Sequence, residues 1–374
     1  MDADDAPPVA DGNYGVLPAD MLYYILLCLP ANHLCRLRLV CRSWRSLTSD
    51  PLFARAHSSR HPHVAALHCY LQALDVMDLH DKIVVRRIYL RQPSFCLVAQ
   101  HNLICVGYTH AHYTAWRRGA CVLSLQQGTG STIADLSMEH DMSGRCRMPP
   151  TFKLGHVPST GEYKVIHLYM PMAPDNSMAM VDRCHVMTLG SGDGRWREMR
   201  KPPVPTAKDS CRVAVVSGVA YFLADQYCSD MEPDSIASFD LATEEWRSRI
   251  LQGPVQPSTK DEVRMLVELG DCLVMVHHNL KDLITDLWFI EDMNKSLWTK
   301  RCSIRWGATL LGVKRIERVR PLMVSDDGRI VFWIPAGAGV IGAYDPRTST
   351  WVDLAKMGHY LTVATHQGMS LLLS

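Results

Sequence analysis

The side chains with metal-binding or nucleophilic potential are numerous but poorly spaced for either chemistry. Seventeen histidines fall in small groups: His57, His61, His63 and His68, then His110 with His112, and His277 with His278. Zinc held through histidine needs fixed geometry and outer partners that orient each ring. These spacings supply neither, so exposed or internally hydrogen-bonded histidines are expected. The thirteen cysteines contain no C-x-x-C pair, and the closest two are Cys35 and Cys41. An odd count without regular spacing points to reduced thiols that pack as small apolar groups, as Cys105 and Cys272 do within apolar runs. Gly337-Ala338-Gly339-Val340-Ile341-Gly342 spells G-x-G-x-x-G. A dinucleotide site needs a helix after it to hold the pyrophosphate, whereas Tyr344-Asp345-Pro346 signals a turn. No nucleophile elbow, P-loop or Ser–His–Asp order occurs. Catalysis is therefore the least expected activity, and no cofactor or metal is expected.

The elements that carry these residues have two textures. Residues 1–16 are acidic, contain Pro7, Pro8, Gly12 and Gly15, and show no periodicity, so they are expected to form a disordered tail. Residues 17–57 read as helices. Leu22, Ile25, Leu26 and Leu29 recur at helical spacing after Pro18, and Pro30 stops that run. Asn32 is the expected cap of a second helix with the stripe Leu37, Val40, Trp44 and Leu47. Asp50-Pro51 reads as the cap and first residue of a third, which holds Leu52 and Phe53. The run from Met21 to Leu29 is apolar nearly all round, the pattern of a helix buried on more than one side. So short a segment cannot bury that surface alone, which favours a plug for another protein's cleft.

In order, Leu17-Pro18-Ala19-Asp20-Met21-Leu22, Ile25-Leu26, Leu29-Pro30, Leu34, Arg38, Val40-Cys41-Arg42-Ser43-Trp44-Arg45-Ser46-Leu47 and Asp50-Pro51-Leu52-Phe53 closely resemble an F-box. Met21 replaces the usual leucine, and Cys28 stands where a charge is common. The resemblance implies a docking module for the Skp-type adaptor of a cullin–RING (SCF-type) ubiquitin ligase. The residues it implicates are Leu17, Pro18, Met21, Leu22, Ile25, Leu29, Pro30, Leu34, Leu37, Val40, Cys41 and Trp44. Arg36, Arg38, Arg42 and Arg45 form a basic stretch with two open readings, a face that meets an acidic adaptor and raises the association rate or an ordinary solvated basic face.

From residue 58 onward, short runs rich in Val, Ile, Leu, Tyr and Phe alternate with Gly, Pro, Asp and Ser turns. A strand, a short turn and a tryptophan recur at Trp196, Trp246, Trp298 and Trp351, about fifty residues apart. A degenerate copy spans Ala120 to Leu136. Four strands per repeat at that period indicate propeller blades, and each tryptophan is expected between neighbouring blades. Gly155 to Ile166 and the Asp-Pro-x-Thr-x-x-Trp pattern at Asp345 to Trp351 resemble the F-box-associated, kelch-like domain common in plant F-box proteins. The expected fold is thus a small helical F-box over 17–57 followed by a β-propeller-like domain of about six blades over 58–374.

In a four-stranded meander, the links between strands two and three and between blades emerge on one face. The long segments Gly107–Gly119, Met138–Pro150, Met170–Asp182, Asp225–Asp234, Gln252–Asp261 and His277–Thr285 are all of this kind, and loops on a rigid scaffold commonly carry binding residues. The target-binding candidates are His110, His112, Tyr113, Trp116, Arg117, Met172, Met178, Tyr227, His277 and His278, chosen as aromatic, arginine and flexible apolar anchors. The expected function is substrate recognition for a ubiquitin ligase, with partners limited to the adaptor, through it cullin and RING subunits, and a target protein. The alternative is a propeller that binds a carbohydrate or small molecule, with the F-box as a tether. Lys+Arg 39 against Asp+Glu 38 gives no global field for nucleic acid or an anionic membrane. Met21–Leu29 is too short to span a bilayer, and the acidic start lacks a secretory pattern. A cytoplasmic or nuclear protein is expected.

Overall fold

The computed structural model describes residues 18–112, 115–124, 132–137, 151–169, 183–190, 195–206, 210–225, 234–254, 261–306, 316–335 and 339–366. Four helices come first: α1 (Ala19–Leu27), α2 (Ala31–Leu37), α3 (Arg42–Ser49) and α4 (Pro51–Arg60). Asp50 caps α4, its Oδ1 accepting the Leu52 N–H at 2.7 Å, and Pro51 takes the first helical position. The expected single second helix is two. Pro30, not Asn32, is the N-cap of α2, and the chain leaves the helix between Arg38 and Cys41. There the Arg38 guanidinium turns inward, donating to the Thr48 carbonyl at 2.8 Å and its hydroxyl at 3.2 Å. Arg38 is thus buried instead of part of a basic surface, while Arg36, Arg42 and Arg45 are exposed.

Strands follow in chain order. The first group is β1 (His63–His68), β2 (Ala73–Asp78) and β3 (Ile83–Tyr89). The second is β4 (Ser94–Gln100), β5 (Leu103–His112), β6 (Ala115–Ser124) and β7 (Thr132–Ser137). The third is β8 (Thr151–His156), β9 (Tyr163–Tyr169), β10 (Arg183–Thr188) and β11 (Arg197–Glu198). Next come β12 (Val213–Val216), β13 (Val219–Leu223), β14 (Ser235–Asp240), β15 (Glu245–Trp246) and the edge fragment β16 (Leu251–Gln252). The fifth is β17 (Glu262–Leu269), β18 (Cys272–Asn279), β19 (Ile284–Asp292) and β20 (Leu297–Arg305). The sixth is β21 (Arg320–Val324), β22 (Ile330–Ile334), β23 (Val340–Asp345) and β24 (Thr350–Lys356), and the final strand is β25 (Tyr360–His366).

These make six antiparallel sheets, the six blades of a propeller. β25 returns to pair with β1, so the first blade runs β25-β1-β2-β3 and the end of the described chain locks its beginning. The innermost strands β25, β4, β8, β12, β17 and β21 touch in that order and back to β25, enclosing a central channel.

Local chemistry accounts for the repeat. Ser217-Gly218 and Gly270-Asp271 join adjacent strands with both residues at positive φ, the twist-matched two-residue hairpin. Asp240, Asp292 and Asp345 occupy equivalent turns between third and fourth strands. Each accepts backbone N–H groups two or three residues on. The tryptophans bind neighbouring blades as expected: Trp246 Nε1 donates to the Arg200 carbonyl and Trp298 Nε1 to the Gln252 carbonyl, both at 2.8 Å. Trp351 packs against Trp306 and Phe332. The G-x-G-x-x-G segment has a packing explanation at its last glycine. Gly342 lies in β23, where a Cβ would overlap the Trp351 indole. Gly342→Ala must displace that ring, and the expected loss is about 1–3 kcal/mol of stability in chemical denaturation.

Candidate functional site

The F-box-like helices bury one side of their apolar surface on the propeller and leave the other exposed. Leu26, Leu27, Leu34 and Phe53 are buried in one cluster with Ala65, Leu67, Leu74 and Val76 of the first blade and Leu97 and Ile104 of the second. Leu22, Leu29, Leu37, Trp44 and Leu47 pack at its edge. The expectation that the whole plug waits for another protein is therefore corrected. A helix apolar nearly all round has two sides to cover, and the propeller covers one.

The other side stays open. Met21 is 54% exposed, Tyr24 62%, Ile25 44%, Leu39 87%, Val40 62% and Leu52 69%, and Pro18 and Cys41 are exposed beside them. Of the expected docking residues, Pro18, Met21, Ile25, Val40 and Cys41 are on this open side. Leu22, Leu29, Pro30, Leu37 and Trp44 are half-buried, and Leu34 is fully buried and belongs to the core. Leu17 lies outside the described residues. Tyr24 and Leu39 were missed in the sequence. The break between α2 and α3 is what turns Leu39 outward, and no spacing rule in a continuous helix reports it.

Buried histidines tie α4 to the end of α1 and stand at the boundary with the propeller. His57 Nε2 donates to the Leu29 carbonyl at 2.8 Å and His61 Nε2 to the Leu27 carbonyl at 3.1 Å. Because a carbonyl only accepts, these bonds fix the proton on Nε2 of each ring. The two rings stack with centroids 4.5 Å apart. On the propeller side, His61 and His63 approach the Asp78 carboxylate at 3.7 and 3.8 Å. Asp78 Oδ1 also accepts the backbone N–H groups of His80 and Asp81. Burial works against the Asp78 charge, yet the histidines and these N–H donors hold its carboxyl down at about 2. Burial pushes His57 down to about 4, its bond to Leu29 opposing only partly.

Topology fixes where this junction sits. β1 pairs with β2 in the register His63↔Asp78 and Leu67↔Leu74. The histidine junction is at the His63 end, on the face of short turns. The Cys69–Gln72 turn and every link from one blade to the next emerge on the opposite, loop-rich face.

On that face the described chain corrects two expectations. Gly107–Gly119 is not an irregular loop: β5 and β6 pair continuously from Leu103↔Ser124 to His112↔Ala115. His277 and His278 lie within β18, and both are buried. His278 Nδ1 and Trp306 Nε1 both meet the Thr285 hydroxyl, at 2.7 and 2.6 Å, and His277 Nε2 lies 3.5 Å from Glu262. They are internal groups, not target anchors, because the strand alternation continues to Asn279 and leaves only a four-residue turn before β19. Tyr113, Met172, Met178 and Tyr227 lie outside the described residues, as do the side chains of His110, His112, Trp116 and Arg117. No helix among the described residues is long and apolar enough to cross a membrane.

Comparison with known proteins gives both parts a family. The F-box associated beta propeller domain family matches residues 140–350, more than half of the chain, and an F-box-like family matches residues 14–59. The F-box/kelch-repeat protein At3g23880 of Arabidopsis thaliana is 27% identical over 343 residues, covering 83% of each chain. The F-box protein At3g07870 of the same plant is 26% identical over 405 aligned residues, covering 96% of this chain and 92% of that one. The helical head, the six-bladed ring and these matches together place the chain in the family of plant F-box proteins that carry an F-box-associated β-propeller.

Proposed function

We propose that this chain is the substrate-recognition subunit of an SCF-type ubiquitin ligase. Its helices dock to a Skp-type adaptor, and through it to cullin and RING subunits. Its propeller recruits a target protein for ubiquitination, and the chain itself contributes no catalytic group. The observation that carries this reading is the uncovered apolar strip of Pro18, Met21, Tyr24, Ile25, Leu39, Val40 and Leu52, which stays exposed after the helices have packed on their own propeller. So many exposed apolar side chains on one small helical unit mark an interaction site. The receptor works by effective concentration: a target held beside the transfer centre reacts as if tethered to it.

The direct test is co-migration of the full chain with a purified Skp-type adaptor in size-exclusion chromatography. Proximity labelling by the full chain, compared with its Ile25→Asp variant, then separates target proteins from the adaptor and the subunits it brings. A 1:1 complex with the adaptor is expected. Separate elution at micromolar concentration would remove the proposal.

A further inference from the structure

The central channel has a charged wall that the receptor reading does not use. The cavity is about 170 Å³ and is bounded by one inner strand from each blade, including Gln100, Lys153, Glu268, Arg320 and Thr365. Inner strands run from the loop-rich face towards the short turns. Arg320 opens β21 and so stands at the loop-side mouth, Lys153 is partway down β8, and Glu268, Gln100 and Thr365 are near the far end of their strands.

Arg320 does more than line the wall. Its Nη2 meets the Cys211 sulfur, which belongs to the 3-10 turn Ser210–Arg212 before β12, two blades away. That turn packs against both β8 and β17. The guanidinium thus reaches across the mouth, and Arg212 stands close enough to Arg264 for their charges to repel. Among the described carboxylates on this side, Asp234 pairs with buried Arg264 and Glu262 lies beside His277, while Glu317 stands in the turn just before β21. Glu268 is at the opposite end, where burial and then the Asp271 charge raise its carboxyl to about 7, so it offsets little of the positive charge at the mouth.

We propose that the loop-side end of the channel binds one anionic group, a carboxylate or a phosphoryl, between Arg320 and Lys153. The size sets the scale of the ligand. At about 170 Å³ the cavity is below the usual few hundred Å³ of a drug-sized pocket. The group is therefore the tip of an acidic or phosphorylated side chain, or a free small anion. Planar guanidinium and flexible ammonium donors suit either oxyanion.

The test uses the full chain and inorganic phosphate, with calorimetric titration at low ionic strength. Parent protein is expected to bind phosphate at millimolar concentration or tighter, and Arg320→Gln and Lys153→Gln each to weaken binding by about tenfold or more. Lys295→Gln, at an exposed turn on the other face, serves as the unaffected control. Arg320→Lys, which keeps the charge, retains measurable binding and covers the case in which the glutamine variant misfolds. Equal heats for parent and both glutamine variants, or no binding beyond that produced by chloride at matched ionic strength, overturn the proposal. The second arm rests on the receptor reading. If the source is a target side chain, Arg320→Gln loses proximity-labelled proteins that phosphate also displaces. If it is a free anion, the labelled set is unchanged while phosphate binding is lost. Adaptor capture by Arg320→Gln stays at the parental level in either case, which separates failure here from failure of the ligase assignment.

Discussion

Ile25→Asp and Val40→Asp, each made in the full chain, abolish capture of the Skp-type adaptor and leave thermal unfolding within about 2 °C of the parent. Both side chains face solvent, so a carboxylate there costs the isolated chain little. In a complex it would be buried without a partner. Covering an aliphatic side chain contributes roughly 1.5–3 kcal/mol, and an unpaired buried carboxylate costs several more. The expected weakening is at least about a hundredfold in Kd, read by biolayer interferometry. Leu34→Ala provides the contrast. It empties a fully buried position, so the expected effect is a loss of about 2–5 kcal/mol of stability, with adaptor affinity reduced only through unfolding. Parental affinity in both aspartate variants would refute docking through the open strip.

Acidification between pH 6.5 and 4 lowers stability through His57 and His278, in an order set by their burial. Burial depresses His57 to about 4 and, with the neighbouring His277, His278 to about 3. In the unfolded chain both titrate near 6.5. Below that pH the unfolded state takes up protons that the folded state refuses, so stability falls with pH. For His57 the full loss is about 3 kcal/mol, complete near pH 4. Glu268 opposes this trend. Its folded pKa is raised to about 7, so the folded state binds a proton first and gains stability as pH falls from about 7 towards its unfolded value. Asp78, at about 2, enters only below roughly pH 4. Urea titrations at pH 7, 6, 5 and 4 separate these contributions. His57→Gln flattens the decline, and Glu268→Gln steepens it. A parent slope unchanged by both substitutions would show that neither group is buried as described.

The sequence carried the repetitive parts of this fold clearly, because they depend on local chemistry. Asp50-Pro51 caps a helix wherever it is placed, and the Asp turns at Asp240, Asp292 and Asp345 depend on residues two or three positions away. The tryptophan period announced blades for the same reason. What the sequence concealed depends on contacts between distant segments. Nothing near residue 360 reveals that β25 pairs with β1. Nothing within Met21–Leu29 tells which side meets the propeller, since the run is apolar on every side. His57, His61 and His63 read as a loose linker group, and only the fold brings them to Asp78. Of the residues expected to dock, Pro18, Met21, Ile25 and Val40 are exposed and Leu34 is buried; the exposure of Tyr24 is hidden in a run apolar on every side, and that of Leu39 emerges only with the break after α2. On the loop-rich face, His277 and His278 were misplaced because a polar pair after an apolar run resembles the start of a loop, although the strand continues through both.

The placement of the helices at the His63 end of β1, away from the inter-blade links, gives the ring a mechanical role. Whatever is held by the links is separated from the adaptor side by the full height of a blade, about 20 Å for a six-residue strand. Under the proposed receptor role, the ring serves as a spacer, so that reach around its rim, more than tightness of grip, selects which lysine of a captured protein comes within range of transfer.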